Sequence, residues 1–179
     1  MAVGLVDRPV RRDPQAPRPR RTLRSLLPAR PDAELERLRR LEGARALLER
    51  ARGLIADGWV QDSFYVVRDR RGQSRPVSPF GLLLLRRTDV VGACLVGAIA
   101  HASSSIDRRE RRGQAALAVD TLWETLGLGP GPVETAYPAA RAARVRDLAR
   151  WNDEPARSQQ DVLDLFDRAV SGTILAAVR

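Results

Sequence analysis

The 179-residue chain contains no lysine, one cysteine and one histidine. A single cysteine excludes a disulfide within the chain, and one cysteine with one histidine cannot form the usual zinc cluster. No glycine-rich phosphate loop or serine-centred elbow occurs either. The sequence therefore predicts no metal and no cofactor, and its cysteine content is typical of the reducing cytoplasm.

Aromatic residues are also scarce, at 4% of the chain, although 44% of the residues are apolar. A core of this composition consists mainly of leucine, valine and alanine, which favours helices. The apolar run Val90–Ala102 has 13 residues, whereas a helix that crosses a bilayer needs about 20. We therefore expect a soluble cytoplasmic protein that does not contact a membrane.

The net charge of +9 is concentrated near the N-terminus. Residues 1–31 contain eight arginines, two aspartates and six of the 12 prolines, which gives this segment a charge of +6. Such a composition buries too little apolar surface to offset the entropy lost on ordering. We predict that residues 1–31 form a disordered basic leader and that residues 32–179 form a single α-rich globular domain.

A basic leader of this kind can contact nucleic-acid phosphates without reading the bases. The contacts would come from six arginines of the leader: Arg11, Arg12, Arg18, Arg20, Arg21 and Arg24. The other interpretation is a solvated leader without a partner, and composition leaves both open.

Capping residues and apolar periodicity predict the first elements. Asp32 can cap a helix whose leucines follow a helical period up to Ile55, and Gly58 can end this helix in a left-handed conformation. Trp59 would then pack back on the last turn. Ser63–Val67 has strand composition, and Asp69–Gly72 resembles a hairpin turn, with Val77 on the returning strand.

The second half of the chain predicts helices. Val90–Ser104 is apolar on every side and would form a central buried helix capped by Thr88 or Asp89. Arg108–Arg112 would form an exposed charged turn. Three amphipathic helices follow: 115–126 ended by Gly127, 139–151, and a last helix from a Ser158–Asp161 capping box to Gly172. The expected fold is mainly α, a compact bundle of about five helices around the central apolar helix 90–104, with a small β-hairpin near 62–79.

Four short motifs carry a resemblance to a known family. In chain order they are Gly58-Trp59, the helical segment Cys94–Ile99, Trp151-Asn152-Asp153 and Asp161-Val162-Leu163. This order resembles that of small proteins from high-GC bacteria and their phages that share a domain of unknown function. The resemblance covers roughly residues 33–170 and excludes the leader. It implies a shared helical fold and no particular activity.

Cys94 is the sharpest candidate for a catalytic nucleophile. Its one possible imidazole partner, His101, lies seven residues further along the predicted helix, a rise of about 10 Å that is too long for a hydrogen bond. A buried cysteine among alanine, glycine and valine is usually inert. The spacing therefore favours a structural cysteine.

Trp151-Asn152-Asp153 allows a structural and a functional interpretation. Trp151 continues the apolar stripe of its helix, and Asn152 can end that helix in a left-handed conformation. Alternatively, Asn152 and Asp153 line a pocket with Trp59 or His101. Spacing favours the structural role.

Three classes of function stay open. The sequence favours a small binding or regulatory module without catalytic activity, with a ligand or protein-partner surface at Trp59, His101, Asn152 and Asp153. The alternative is a nucleic-acid-associated protein that uses the basic leader. A weaker alternative is an enzyme with a site at His101, Asn152 and Asp153.

Overall fold

The structure, a computed structural model, describes residues 31–69, 71–78, 90–128 and 138–178. Within them it has five helices: α1 (Pro31–Asp57), α2 (Leu95–Ser103), α3 (Arg108–Thr125), α4 (Pro138–Asn152) and α5 (Gln159–Ala177). Three strands form one sheet: β1 (Tyr65–Arg68), β2 (Ser74–Val77) and β3 (Val90–Ala93). The predicted mainly α fold with a small hairpin is confirmed. Residues 1–30 with their six candidate arginines, and the predicted caps Thr88 and Asp89, lie outside the described residues.

The long helix α1 packs against α2, α3 and α5. Its buried side chains recur at helical spacing and form one continuous face: Ala44, Leu47, Leu48, Ala51 and Ile55. α5 runs antiparallel to α1, since Arg52 pairs with Asp167 at 2.7 Å and Gln159 Nε2 donates to Ile55 O at 2.6 Å. The short helix α2 packs against α1, α3, α4 and β3, and seven of its residues are buried.

The sheet is antiparallel, in the order β2-β1-β3. The β1–β2 turn is built as the sequence predicted, with the Asp69 carboxylate accepting from the backbone N–H groups of Arg71 and Gln73 and with Gly72 at φ 77°. Tyr65 and Val67 point from β1 into the core, where each is 1% exposed. The sheet therefore leans on the helices through one face of β1.

The predicted central helix is wrong over its first residues. Val90–Ala93 forms β3 beside β1, and α2 begins only at Leu95. Cys94 is the N-cap of α2, and its Sγ accepts from the backbone N–H of Gly97 at 3.3 Å. An apolar run has no visible period, so its composition fits a buried strand followed by a helix as well as one helix.

Two other predicted boundaries are wrong. Arg108–Arg112 is the first turn and a half of α3, because Asp107 accepts from Arg109 N at 2.8 Å and caps the helix there. Gly172 lies inside α5, which continues to Ala177. The predicted ending of α3 is confirmed, with Gly127 at φ 70°, and so is the capping box of Ser158 and Asp161.

Gly58 follows the end of α1, as predicted, but it is not left-handed, so the predicted manner of helix ending is wrong. Glycine is required here by a close approach, since a Cβ at position 58 would lie 2.2 Å from Val91 O. A Cβ at Gly97 on α2 would likewise lie 2.2 Å from Phe64 O. These two glycines allow the end of α1 to approach the backbone of β3, and α2 to approach the backbone just before β1.

The close approach at Gly97 gives a test. Gly97→Ala is expected to lower the free energy of unfolding by about 1–3 kcal/mol, since the methyl group meets a backbone oxygen that cannot move alone. Gly172→Ala is the matched control, because its Cβ would meet no atom within 4 Å inside a helix, and it should raise stability by about 0.5–1 kcal/mol. Urea unfolding measures both, and equal effects of the two variants would contradict the packing described.

Candidate functional site

Three separate parts of the chain meet at the side chain of Asn152, the last residue of α4. Asn152 has no exposed surface. Its Oδ1 accepts from the indole Nε1 of Trp59 at 2.9 Å and from the backbone N–H of Leu95 at 3.0 Å. Its Nδ2 donates to Val60 O at 3.1 Å and to Asp153 Oδ1 at 2.7 Å. A primary amide has two donors and two acceptor lone pairs, so every hydrogen-bonding position of Asn152 is occupied.

A second set of contacts surrounds this amide. Asp153 Oδ1 also accepts from the backbone N–H of Asp62, and Gln61 Nε2 donates to Asn152 O and Glu154 O. Asp62 has φ 55°, a conformation that is uncommon for a non-glycine residue and that these contacts hold in place. The segment after α1 is therefore fixed to the end of α4 at several points. We call this cluster, Trp59–Asp62 with Asn152 and Asp153, the asparagine junction.

Trp151 has the structural role that its spacing predicted. It packs against the core, and the Arg157 guanidinium lies 3.9 Å from the centre of its ring. Asn152 is the last residue of α4, as expected, but its φ is not left-handed. The helix instead ends where the Asn152 side chain takes its partners from other elements.

Cys94 lies beside the junction and serves as a helix cap. Its side chain is buried, and burial raises the pKa of the thiol; the negative charge of Asp153 raises it further. The backbone N–H of Gly97 opposes this shift but does not cancel it. At neutral pH the residue is a thiol, whereas nucleophilic attack requires the thiolate.

His101 is not brought to the junction. α2 begins at the junction with Leu95, and His101 lies six residues further along, a rise of about 9 Å. Its ring contacts the edge of Tyr65, with centroids 6.3 Å apart, and it lines a surface hollow of about 350 Å³ with Leu54 and Asp57. Of the four predicted surface residues, Trp59, Asn152 and Asp153 therefore converge, and His101 stands apart.

The structure also shows the geometry of two charged features. Asp120 and Arg144 form an ion pair at 2.7 Å in which both side chains are less than 10% exposed. Arg108, Arg109, Arg111 and Arg112 surround a depression of about 550 Å³ at the start of α3. A single sequence holds no signal that joins residues 120 and 144. The run of arginines at 108–112 is evident in the sequence, but it was predicted to be an exposed turn, which gives the side chains no fixed arrangement.

None of the helices in the described ranges is long and apolar enough to cross a membrane. Within the same ranges, no three histidine, cysteine or acidic side chains lie close enough together to hold a metal ion.

The fold and the asparagine junction define a mainly α-helical protein in which one buried amide joins the end of α4 to the segment after α1 and to the start of α2. The chain belongs to DUF6197, a family of unknown function, whose profile matches residues 39–171. This match covers well over half of the chain and includes every residue of the junction. It supports the expected membership in a family that is defined without an activity. Neither the curated proteins nor the solved structures gave a match.

The junction predicts a large effect of a small substitution. Asn152→Ala is expected to lower the free energy of unfolding by at least about 3 kcal/mol, because it leaves the Trp59 indole, the Leu95 N–H and the Val60 carbonyl without a partner, each at about 1–3 kcal/mol. Gln160→Ala removes an exposed amide with one hydrogen bond, to Asp164, and should change stability by less than about 0.5 kcal/mol. Similar midpoints for the two variants in denaturant unfolding would show that the junction is not a structural constraint.

The state of Cys94 predicts slow alkylation. In the native protein iodoacetamide should modify Cys94 more than about tenfold more slowly than in the unfolded chain, because the thiol is both shielded and less ionised. The control is Cys94→Ser combined with Ser105→Cys, which places the single thiol at an exposed position. That control thiol should react at the rate of the unfolded chain. A fast reaction of native Cys94 would restore it as a candidate nucleophile.

Proposed function

We propose that this protein is a binding module without catalytic activity that contacts nucleic-acid phosphates through the arginines at the start of α3. One observation carries the proposal: Arg108, Arg109 and Arg112 are exposed and make no side-chain hydrogen bond or ion pair with another described residue. With Arg111 they surround one depression. Guanidinium groups stay protonated at every physiological pH and match phosphate oxygens in geometry.

Local structure holds this arginine cluster in place. Arg111 donates to Ile106 O at 2.8 Å and to Ser104 O at 3.0 Å, which ties the first turn of α3 to the end of α2. The acidic Asp107 is used as the helix cap. The positive end of the α3 dipole adds to the charge of the cluster.

Several arginines of α1 are paired with acids. Arg37 pairs with Glu34, Arg45 with Glu42 and Glu49, and Arg52 with Asp167. The pKa of Glu42 is lowered, first by its hydrogen bond to Arg45, in agreement with this pairing. Charge is therefore balanced over most of α1 and is left unbalanced at the start of α3.

Arg108 and Arg112 are four residues apart, so their Cβ atoms lie about 5–6 Å apart on one helix face. Two such groups can contact neighbouring phosphates of one strand, which follow each other at about 3.4 Å of duplex axis. The contacts would neutralise the backbone and would read no base, so the expected binding is independent of sequence.

The absence of catalysis in this proposal is supported by how the fold uses the groups weighed for chemistry. The amide of Asn152 has four partners, the thiol of Cys94 is a buried cap, and His101 lies at the other end of α2. An enzyme that joins His101 to Asn152 and Asp153 has no support in this arrangement.

Duplex DNA and single-stranded RNA of mixed sequence test the proposal with the full-length chain. The contribution of the leader to binding must be separated from that of α3. In every variant, therefore, six arginines of the leader are changed to glutamine: Arg11, Arg12, Arg18, Arg20, Arg21 and Arg24. Replacing Arg108, Arg109 and Arg112 with glutamine should then weaken binding at low salt. The slope of log affinity against log salt should become shallower by about 0.9 for each phosphate that the variant no longer neutralises.

The matched control replaces Arg68, Arg75 and Arg168, three exposed arginines on the sheet and on α5, and removes the same charge. It should keep most of the affinity. Equal decreases in affinity for the two triple variants would assign binding to net charge alone and contradict the proposed surface. Failure of the unmodified full-length chain to bind either nucleic acid would exclude the proposed function.

A further inference from the structure

A second recess lies where α1, α3 and the last turn of α5 meet, on a part of the surface that the proposed function does not use. Its volume is about 470 Å³, within the usual range for small-molecule sites. α3 contributes Leu117, Asp120 and Glu124, which follow one another at three and four residues and so share a helix face. Ala176 closes the recess from α5.

Glu124 is the unusual group in this recess. Its side chain makes no hydrogen bond or ion pair with another described residue, although it is half-buried. Burial raises the pKa of its carboxyl, Asp120 raises it further, and Arg144 opposes the shift. A carboxyl that has no side-chain partner in the free protein can accept charge-assisted hydrogen bonds from a ligand with a cationic donor.

Asp120 lies one helical turn before Glu124 on α3 and is held in place by other side chains. Its Oδ1 pairs with Arg144, whose guanidinium lies 4.6 Å from the centre of the Trp123 ring. Trp123 Nε1 donates in turn to Asp147 at 3.1 Å. This chain of contacts holds the Asp120 side chain in place within the wall of the recess.

The opposite wall comes from α1 and carries the other sign of charge. Arg37 and Arg40 line it together with Leu41. The Arg37 guanidinium is held by Glu34 and by Ala176 O, and Arg40 Nε contacts Glu36 at 3.3 Å. These contacts orient both guanidinium groups, each of which carries five N–H donors.

We propose that this recess binds a small zwitterion with an apolar side chain, of the α-amino-acid class. The ammonium group contacts Glu124 and Asp120. The carboxylate contacts Arg37 and Arg40, and the alkyl side chain lies against Leu41 and Leu117. A simple cation would face two arginines and a simple anion two acids, whereas a zwitterion complements both walls.

L-leucine is the probe, with isocaproate and isoamylamine as analogues that lack its ammonium and its carboxylate respectively. Titration calorimetry of the full-length chain should detect leucine binding at millimolar concentration or below. Each analogue should bind about tenfold or more weakly, because each lacks one set of charge-assisted hydrogen bonds. Equal binding of leucine and isocaproate, or no binding of leucine, would overturn the proposal.

Two variants assign the charges. Glu124→Gln keeps the side-chain volume. It should weaken the binding of leucine and of isoamylamine about tenfold or more and leave the binding of isocaproate unchanged. Arg40→Gln should weaken the binding of leucine and of isocaproate and leave the binding of isoamylamine unchanged. Glu49→Gln and Arg39→Gln remove the same charges from α1 outside this recess and should have no effect.

Two further measurements keep the outcome interpretable. Circular dichroism and the unfolding midpoint test whether Glu124→Gln is folded. Arg40 is exposed, so Arg40→Gln is expected to fold and still tests the site if Glu124→Gln does not fold. The triple variant of Arg108, Arg109 and Arg112 should bind leucine as the unmodified chain does. A loss of leucine binding in that variant, or equal effects of Glu124→Gln and Glu49→Gln, would contradict a separate zwitterion site.

Discussion

The fold depends on one buried primary amide. Asn152 joins the end of α4 to the segment after α1 and to the first turn of α2, and it does so with all four of its hydrogen-bonding positions. A buried amide of this kind stabilises the structure only when the set of partners is complete, because each unmade bond in a low-dielectric interior costs more than a made one contributes. The junction therefore fixes the relative positions of elements that are far apart in the sequence, and the amide at its centre has no hydrogen-bonding position left for a ligand.

The short helix α2 shows what this constraint achieves. Nine residues form a helix that is marginal in isolation, and its first N–H groups need acceptors. Asn152 Oδ1 accepts from Leu95 N, and Cys94 Sγ accepts from Gly97 N. Gly97 allows the same turn to approach the backbone of Phe64, just before β1. The three features stabilise α2 at its N-terminal end, and Arg111 holds the other end through the Ser104 carbonyl. The arginines at the start of α3 are thus attached to the junction through α2.

The sequence correctly predicted the features that depend on interactions between residues close together in the chain. The capping box of Ser158 and Asp161, the turn at Asp69 and the end of α3 at Gly127 each depend on residues a few positions apart, and the sequence identified all three. The strand Val90–Ala93 was missed because its state is decided by a partner strand some 25 residues earlier in the chain. From the sequence, His101 was also grouped with Asn152 and Asp153. Whether these residues meet is decided by tertiary contacts, which a single sequence does not show. Only the geometry separates Asn152, whose amide is saturated, from Glu124, whose carboxyl has no hydrogen-bond partner within the described ranges.

The absence of lysine fits a coding bias, but the structure makes different demands on different arginines. Arg144 pairs with buried Asp120 while its flat guanidinium lies over Trp123, and Arg157 contacts the Trp151 ring in the same way. Arg111 donates from one guanidinium to two backbone carbonyls. An ammonium group cannot stack as a plane or bridge two acceptors in a fixed fork, so lysine would not replace these three residues. The exposed Arg108 and Arg112 need only a positive charge in the free protein. Their identity would become important when a planar or bidentate anion is bound, and this is the condition that phosphate recognition imposes.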